Sequence, residues 1–168
     1  NLVALRIARA NTKKQNVAFC GYHGWHDWYL SANLSSKKNL NNHLFENIST
    51  VGIPKNLKNS VYQFNYGKIN ELIKLIKKNS IGIVIMEFAR IKELNINFLK
   101  SVKRICKKHN CILIFDECTS GFREYIGGVH MKYSIEPDIV TFGKAIGNGY
   151  PITCLLAKEK LRVKSEKA

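Results

Sequence analysis

The segment that most limits the possible folds is Ile81-Gly82-Ile83-Val84-Ile85-Met86, which carries no polar residue on either side of a β-strand's two-residue repeat. A strand with one wet face alternates polar with apolar residues, so this run predicts a strand covered on both faces. Val17-Ala18-Phe19-Cys20 after Asn16, Cys111 to Phe115, and residues 139–142 read the same way. Two amphipathic stretches lie among these runs. Over Lys68 to Lys78, Ile69, Leu72, Ile73 and Ile76 share a helical face; over Asn95 to His109, Phe98, Leu99, Val102, Ile105 and Cys106 form a stripe, with Asn95 or Asn97 as the cap. Alternation of this kind predicts a layered α/β fold with a largely parallel sheet. Leu2, Leu5 and Ala8 add an opening helix, and Ser60–Phe64 and 153–157 add two strands. From Trp25 to about Asn59 the periodicity fails, with Ser35-Ser36-Lys37-Lys38-Asn39, Gly52 and Pro54 marking irregular chain. A long excursion of this kind reads as functional or interfacial.

At 168 residues the chain has the size of one domain. It opens without Met on what reads as a helix in mid-course, which suggests a fragment of something longer. The 27 basic residues against 12 acidic raise a nucleic-acid reading. The lysines, however, fall on helix faces and in loops (Lys74, Lys77, Lys100, Lys103), without a zinc-finger, helix-turn-helix or RNA-recognition pattern, so a solvated basic surface is the preferred reading. Five cysteines without a CxxC pair, mostly inside apolar runs, read as buried thiols of a reducing compartment. With no apolar run near the roughly 20 residues of a membrane span, a soluble cytoplasmic protein is expected.

In parallel sheets, ligands collect beyond the carboxyl ends of the strands, where Glu87, Asp116 and Lys144 fall. A lysine after a buried strand and among glycines (Phe142-Gly143-Lys144-Ala145-Ile146-Gly147-Asn148-Gly149) can present a desolvated amine of the kind Schiff-base chemistry needs, although on local grounds a solvated loop lysine is the commoner reading. The glycines lie on the wrong side of this lysine for a phosphate-binding Walker loop, and no Ser or Thr follows it. Asp116, after Ile112-Leu113-Ile114-Phe115, is costly to bury without a partner. A protonated pyridine nitrogen would serve as that partner, while a strand-end aspartate can instead cap a turn or pair with Arg123.

Asp116-Glu117-Cys118-Thr119-Ser120-Gly121-Phe122-Arg123 resembles the DEVxxGFR motif, and Phe142 to Pro151 the FGKAIGGGYP motif, of the class III pyridoxal-phosphate aminotransferases. Gly21-Tyr22-His23-Gly24-Trp25-His26-Asp27-Trp28 is similar to that family's aromatic-His-Gly loop, and Leu5-Arg6-Ile7-Ala8-Arg9 to the helix before it. The four matches occur in order over nearly the whole chain, and they most resemble the glutamate-1-semialdehyde 2,1-aminomutase group.

The resemblance implies a three-layer sandwich of the fold type I transferases, incomplete here, with residues 1–168 as part of the large domain and with the phosphate-binding loop and small C-terminal domain outside it. It implies pyridoxal 5′-phosphate as cofactor, Lys144 as the Schiff-base lysine and Asp116 as the partner of the ring nitrogen. Tyr22 would stack on one ring face and Cys118 pack on the other, where the family usually carries valine, although Cys118 also reads as inert packing and Tyr22 as core. His23, Glu87 and Thr119 would border the cofactor, with Glu87-Phe88 departing from the family's common Glu-Pro. Trp25, His26 and Trp28 read as a channel wall or subunit contact, since His-x-x-His without an acidic or cysteine partner is a poor metal signature. Expected partners are a small amino-acid or amino-sugar-type substrate and a second copy of the chain, with no nucleic acid and no membrane. Alternatives from other classes are a catalytically inactive truncated fragment and a basic non-enzymatic binding module.

Overall fold

The computed structural model describes residues 1–89 and 94–162. Its elements are α1 (Leu2–Asn11), β1 (Asn16–Cys20), α2 (Asp27–Leu30), β2 (Val61–Gln63), α3 (Ile69–Lys78), β3 (Ile81–Glu87), α4 (Ile96–Lys108), β4 (Ile112–Glu117), α5 (Val129–Lys132), β5 (Ile139–Phe142) and β6 (Cys154–Ala157). One six-stranded sheet runs in the order β2-β1-β3-β4-β5-β6. Every neighbouring pair is parallel except β5 and β6. The layered, mostly parallel reading therefore holds, and β6 is the departure. Its connection from β5 is shorter than a parallel crossover needs, so the strand returns antiparallel.

Strand alternation divides the core in two. Ala18, Val84, Met86, Leu113, Phe115, Val140 and Phe142 face α3 and α4, which bury Leu72, Ile76, Phe98, Leu99, Val102 and Ile105 against them. Val17, Phe19, Ile83, Ile85, Ile114 and Ile139 face the opposite way, onto Ala4, Leu5 and Ala8 of α1. The aperiodic segment completes this second layer, because Trp28, Tyr29, Leu30, Ala32 and Leu40 are buried there. Side-chain amides hold its backbone in place of a repeating ladder: Asn33 donates to the Ile48 carbonyl and accepts from the Leu40 amide, and Asn39 donates to the Ala32 carbonyl.

Local chemistry sets the ends of α4. The Asn95 side chain accepts from the Phe98 amide at 2.9 Å, an N-cap, which settles the choice between Asn95 and Asn97. At the other end Asn110 takes a left-handed φ of 54°, and the Cys111 and Asn110 amides donate back to the Cys106 and Lys107 carbonyls. This is a Schellman closure, whose first and last side chains meet. Cys106 and Cys111 occupy those two positions, so two of the five free thiols are explained as packing.

Gly82 sits at an irregularity in the β1–β3 pairing, where Asn16 faces Ile81 but Val17 faces Ile83. A Cβ on Gly82 would lie 1.8 Å from the Lys14 carbonyl oxygen. Only glycine allows that backbone approach. Gly82→Ala should therefore cost on the order of 2 kcal/mol or more in urea unfolding, against about 1 kcal/mol for removal of the cap in Asn95→Ala. Equal losses would contradict this account of the bulge.

Candidate active site

Parallel register places Glu87, Asp116 and Thr141 in one row across the carboxyl ends of β3, β4 and β5. Asp116 is buried, 5% exposed, and its oxygens are ringed by donors. On Oδ2 it accepts from Asn1 Nδ2 at 2.6 Å and pairs with His23 Nδ1 at 2.8 Å; on Oδ1 it accepts from the Cys118 amide at 3.1 Å and lies 3.4 Å from the Thr141 hydroxyl. Burial works against the charge, but the His23 contact and the Cys118 amide outweigh it and hold the carboxyl well below the usual carboxylate range. Arg123, the alternative partner, instead donates through Nε to the Thr119 carbonyl at 2.6 Å.

The loop after β1 delivers His23. Its Nε2 faces the Cys20 carbonyl at 3.2 Å while Nδ1 faces Asp116, and the ring stacks on Trp28 with centroids 6.1 Å apart. Glu87 fixes the same loop, as Oε2 accepts from the Tyr22 amide at 2.9 Å. Gly21, at φ 104°, lies so close that a Cβ there would be 2.5 Å from Glu87 Oε2. Its amide donates to His43 Nδ1 at 3.1 Å and its carbonyl accepts from the Tyr29 hydroxyl at 2.9 Å. Tyr22 itself is half-buried and meets Tyr29 edge-on at 6.0 Å.

Lys144 follows β5 after one glycine and takes φ 50°, a left-handed conformation that side-chain-bearing residues rarely adopt. Its Nζ donates to Thr119 Oγ1 at 2.7 Å. Cys118 stands between the two strand ends, with Sγ 3.9 Å from Thr141 Oγ1 and 3.5 Å from where a Cβ on Gly143 would be. Burial and the Asp116 charge push its thiol up to about 11. The sequence-predicted residues thus fall into linked groups: His23 on Asp116, the Tyr22 amide on Glu87, Thr119 on Lys144, and Cys118 beside Asp116.

Three residues of the site escaped the sequence reading. Asn1 and Thr141 contact Asp116, and Glu117 organises the chain after β4. Fully buried, Glu117 accepts from the Ser120 hydroxyl, the Val129 and His130 amides and His130 Nδ1. The signal available was a second acid directly after a buried strand. Trp28 also departs from the expected channel wall or subunit contact: it is 3% exposed and belongs to the core, whereas Trp25 is 59% exposed.

The sequence profile of the aminotransferase class-III family matches residues 1–166. The chain belongs to this family. It is 34% identical over 166 residues to a 3-aminobutyryl-CoA aminotransferase of Cloacimonas acidaminovorans, covering 94% of this chain and 36% of that protein. To a glutamate-1-semialdehyde 2,1-aminomutase of Caldicellulosiruptor saccharolyticus it is 33% identical over 168 residues, covering 95% and 38%. Among solved structures, an omega-transaminase from Sphaerobacter thermophilus superposes with a TM-score of 0.79 at 25% identity, over 95% of this chain and 38% of that one. The FumI protein of Sphingopyxis sp. MTA144, solved in its PLP internal aldimine form, reaches 0.79 at 24% identity, over 99% and 39%. The chain therefore spans a little over a third of the length of these relatives, and the fold they share with it is the layered transaminase sheet.

Two outcomes follow for Asp116 and Cys118. The Asp116 carboxyl lies below its ordinary 3.8 in the folded protein, so its contribution to stability is present above that pH and drains away as pH falls through the folded value. In urea unfolding from pH 7 to pH 2, Asp116→Asn should show a shallower acid loss than the unaltered chain; parallel curves would contradict the assignment. The raised Cys118 thiol should resist iodoacetamide at pH 7 and react only as pH approaches 11, as peptide mass spectrometry would show.

Proposed function

We propose that this chain is the central part of the large, cofactor-binding domain of a pyridoxal-phosphate enzyme that moves an amino group between an amine-bearing carbon and a carbonyl, through a Schiff base on Lys144. The observation that carries the proposal is a buried carboxylate kept ionised at the end of β4, beside the strand whose end bears a backbone-constrained lysine. That donor set suits the cofactor: an anion for a pyridine nitrogen, an amine for an aldehyde, and between the strand ends a thiol that stays protonated and uncharged.

Bound here, pyridoxal phosphate supplies an electron sink that stabilises negative charge on the substrate carbon attached to nitrogen. Asp116 would keep a proton on the pyridine nitrogen, and His23 would hold Asp116 in place. Tyr22 and Cys118 would flank the ring, while Glu87 would maintain the Tyr22 loop. Lys144 would serve as covalent anchor and as the base that moves the proton at the substrate carbon, with Thr119 at its amine. The mild reach of one amine between two carbons is common to transamination and to intramolecular amino transfer, and the relatives include both kinds of enzyme.

Because the chain spans little more than a third of its relatives, the activity is proposed for the full-length protein, acting in the cytoplasm as a homodimer on a small amino-acid or amino-sugar-type substrate, with this portion alone inactive. With pyridoxal phosphate added, the full-length protein should develop a lysine-linked absorbance that Lys144→Ala abolishes. Amino transfer in that variant should fall by at least about 10²-fold, the scale of a lost proton-transfer group. An absorbance that survives Lys144→Ala would refute the assignment.

A further inference from the structure

We propose that Asn1 and Thr141 are positioning residues that act through Asp116, as a directional hydrogen-bond chain tying together β5, the start of α1 and β4. Asn1 Nδ2 stands 2.6 Å from Asp116 Oδ2, and Asn1 Oδ1 stands 2.9 Å from the Thr141 hydroxyl. Only one orientation of the amide satisfies both ends. Reversed, its oxygen would press against a carboxylate oxygen, two acceptors at hydrogen-bond distance with no proton between them. The Thr141 hydroxyl must then donate, and Asn1 Oδ1 at 2.9 Å is its nearer acceptor, Asp116 Oδ1 being 3.4 Å away. With its proton so committed, the Thr141 oxygen is left to accept from the Cys118 thiol at 3.9 Å. Thr141 is 3% exposed and Asp116 5%, so water does not compete effectively for either.

The chain runs in one sense, Cys118 to Thr141 to Asn1 to Asp116, and a second bond from Asn1 Nδ2 to the His23 carbonyl at 3.3 Å brings in the loop after β1. Two consequences follow for Asp116. Its Oδ2 is held by Asn1 while the Cys118 amide holds Oδ1, and its spacing to β5, which delivers Lys144 three residues after Thr141, is set by bonds between side chains as well as by the strand ladder. This deepens the pyridoxal-phosphate reading and rests on it where cofactor binding is concerned.

Thr141→Val removes the hydroxyl at nearly constant shape, and Thr141→Ser restores it. In the full-length apoprotein, ¹⁵N-resolved spectra of the His23 ring report on the carboxylate it faces. Thr141→Val should shift the His23 Nδ1 resonance and Thr141→Ser should leave it in place. The dissociation constant for pyridoxal phosphate, from absorbance titration, should rise about fivefold in Thr141→Val, the scale of one buried hydrogen bond, and less than about twofold in Thr141→Ser. Asn1→Ala, which leaves β5 untouched, should reproduce both changes and keeps the test open if Thr141→Val fails to fold. An unmoved His23 resonance in these variants would overturn the chain; a moved resonance with an unchanged dissociation constant would overturn its role in holding cofactor. If the unaltered protein forms no lysine-linked complex with pyridoxal phosphate, the functional reading falls, and the His23 comparison still decides the chain.

Discussion

One buried negative charge organises this structure. Asp116 is the penultimate residue of the central strand β4, and an ionised carboxylate out of water is tolerated only where donors surround it. Those donors come from separate parts of the chain: His23 from the loop after β1, Asn1 from the head of α1, the Cys118 amide from the turn after β4, and Thr141 from β5. The fold follows from both-face burial of apolar strands, but the site follows from the requirement that four elements reach one carboxylate. Three of the four bring a further group with them: the loop brings Tyr22, the turn brings the Cys118 thiol and Thr119, and β5 leads to Lys144.

A second buried acid does related work on the other side of the sheet. Glu117 takes two backbone amides, a hydroxyl and a histidine nitrogen, which fixes residues 118–130 against the end of β4. Thr119 lies within this braced segment and holds the Lys144 amine. Adjacent acids on opposite faces of one strand therefore have separate tasks, Asp116 facing α1 and Glu117 facing α5. The left-handed backbone at Lys144 is the strained counterpart of this bracing, and strain of that kind persists only where its surroundings are firm.

Much of this was legible from residue order because burial on both faces leaves a plain signature. The runs at 81–86 and 111–115 announced strands; a charge shortly after such a run made Asp116 and Lys144 candidates, and only the resemblance of the motifs around them favoured a cofactor site over the local alternatives. Segment 25–59 was not legible, since it packs as a layer of short turns through single residues such as Trp28, Tyr29 and Leu40, held by asparagine amides with no period to detect. Asn1 looked like part of a helix, and Thr141 looked like one more β-branched strand residue. Their roles depend on a contact 140 positions apart, which no local pattern encodes.

The central claim is that Lys144 and Asp116 bound one cofactor site. Its most direct test is to load the full-length protein with pyridoxal phosphate, reduce it with borohydride, digest it with trypsin and locate the phosphopyridoxyl group by mass spectrometry. Modification of Lys144 blocks cleavage there, so the account predicts the label on a peptide running from Tyr133 to Lys158. A label found on another lysine, with that peptide cut at Lys144, would contradict it.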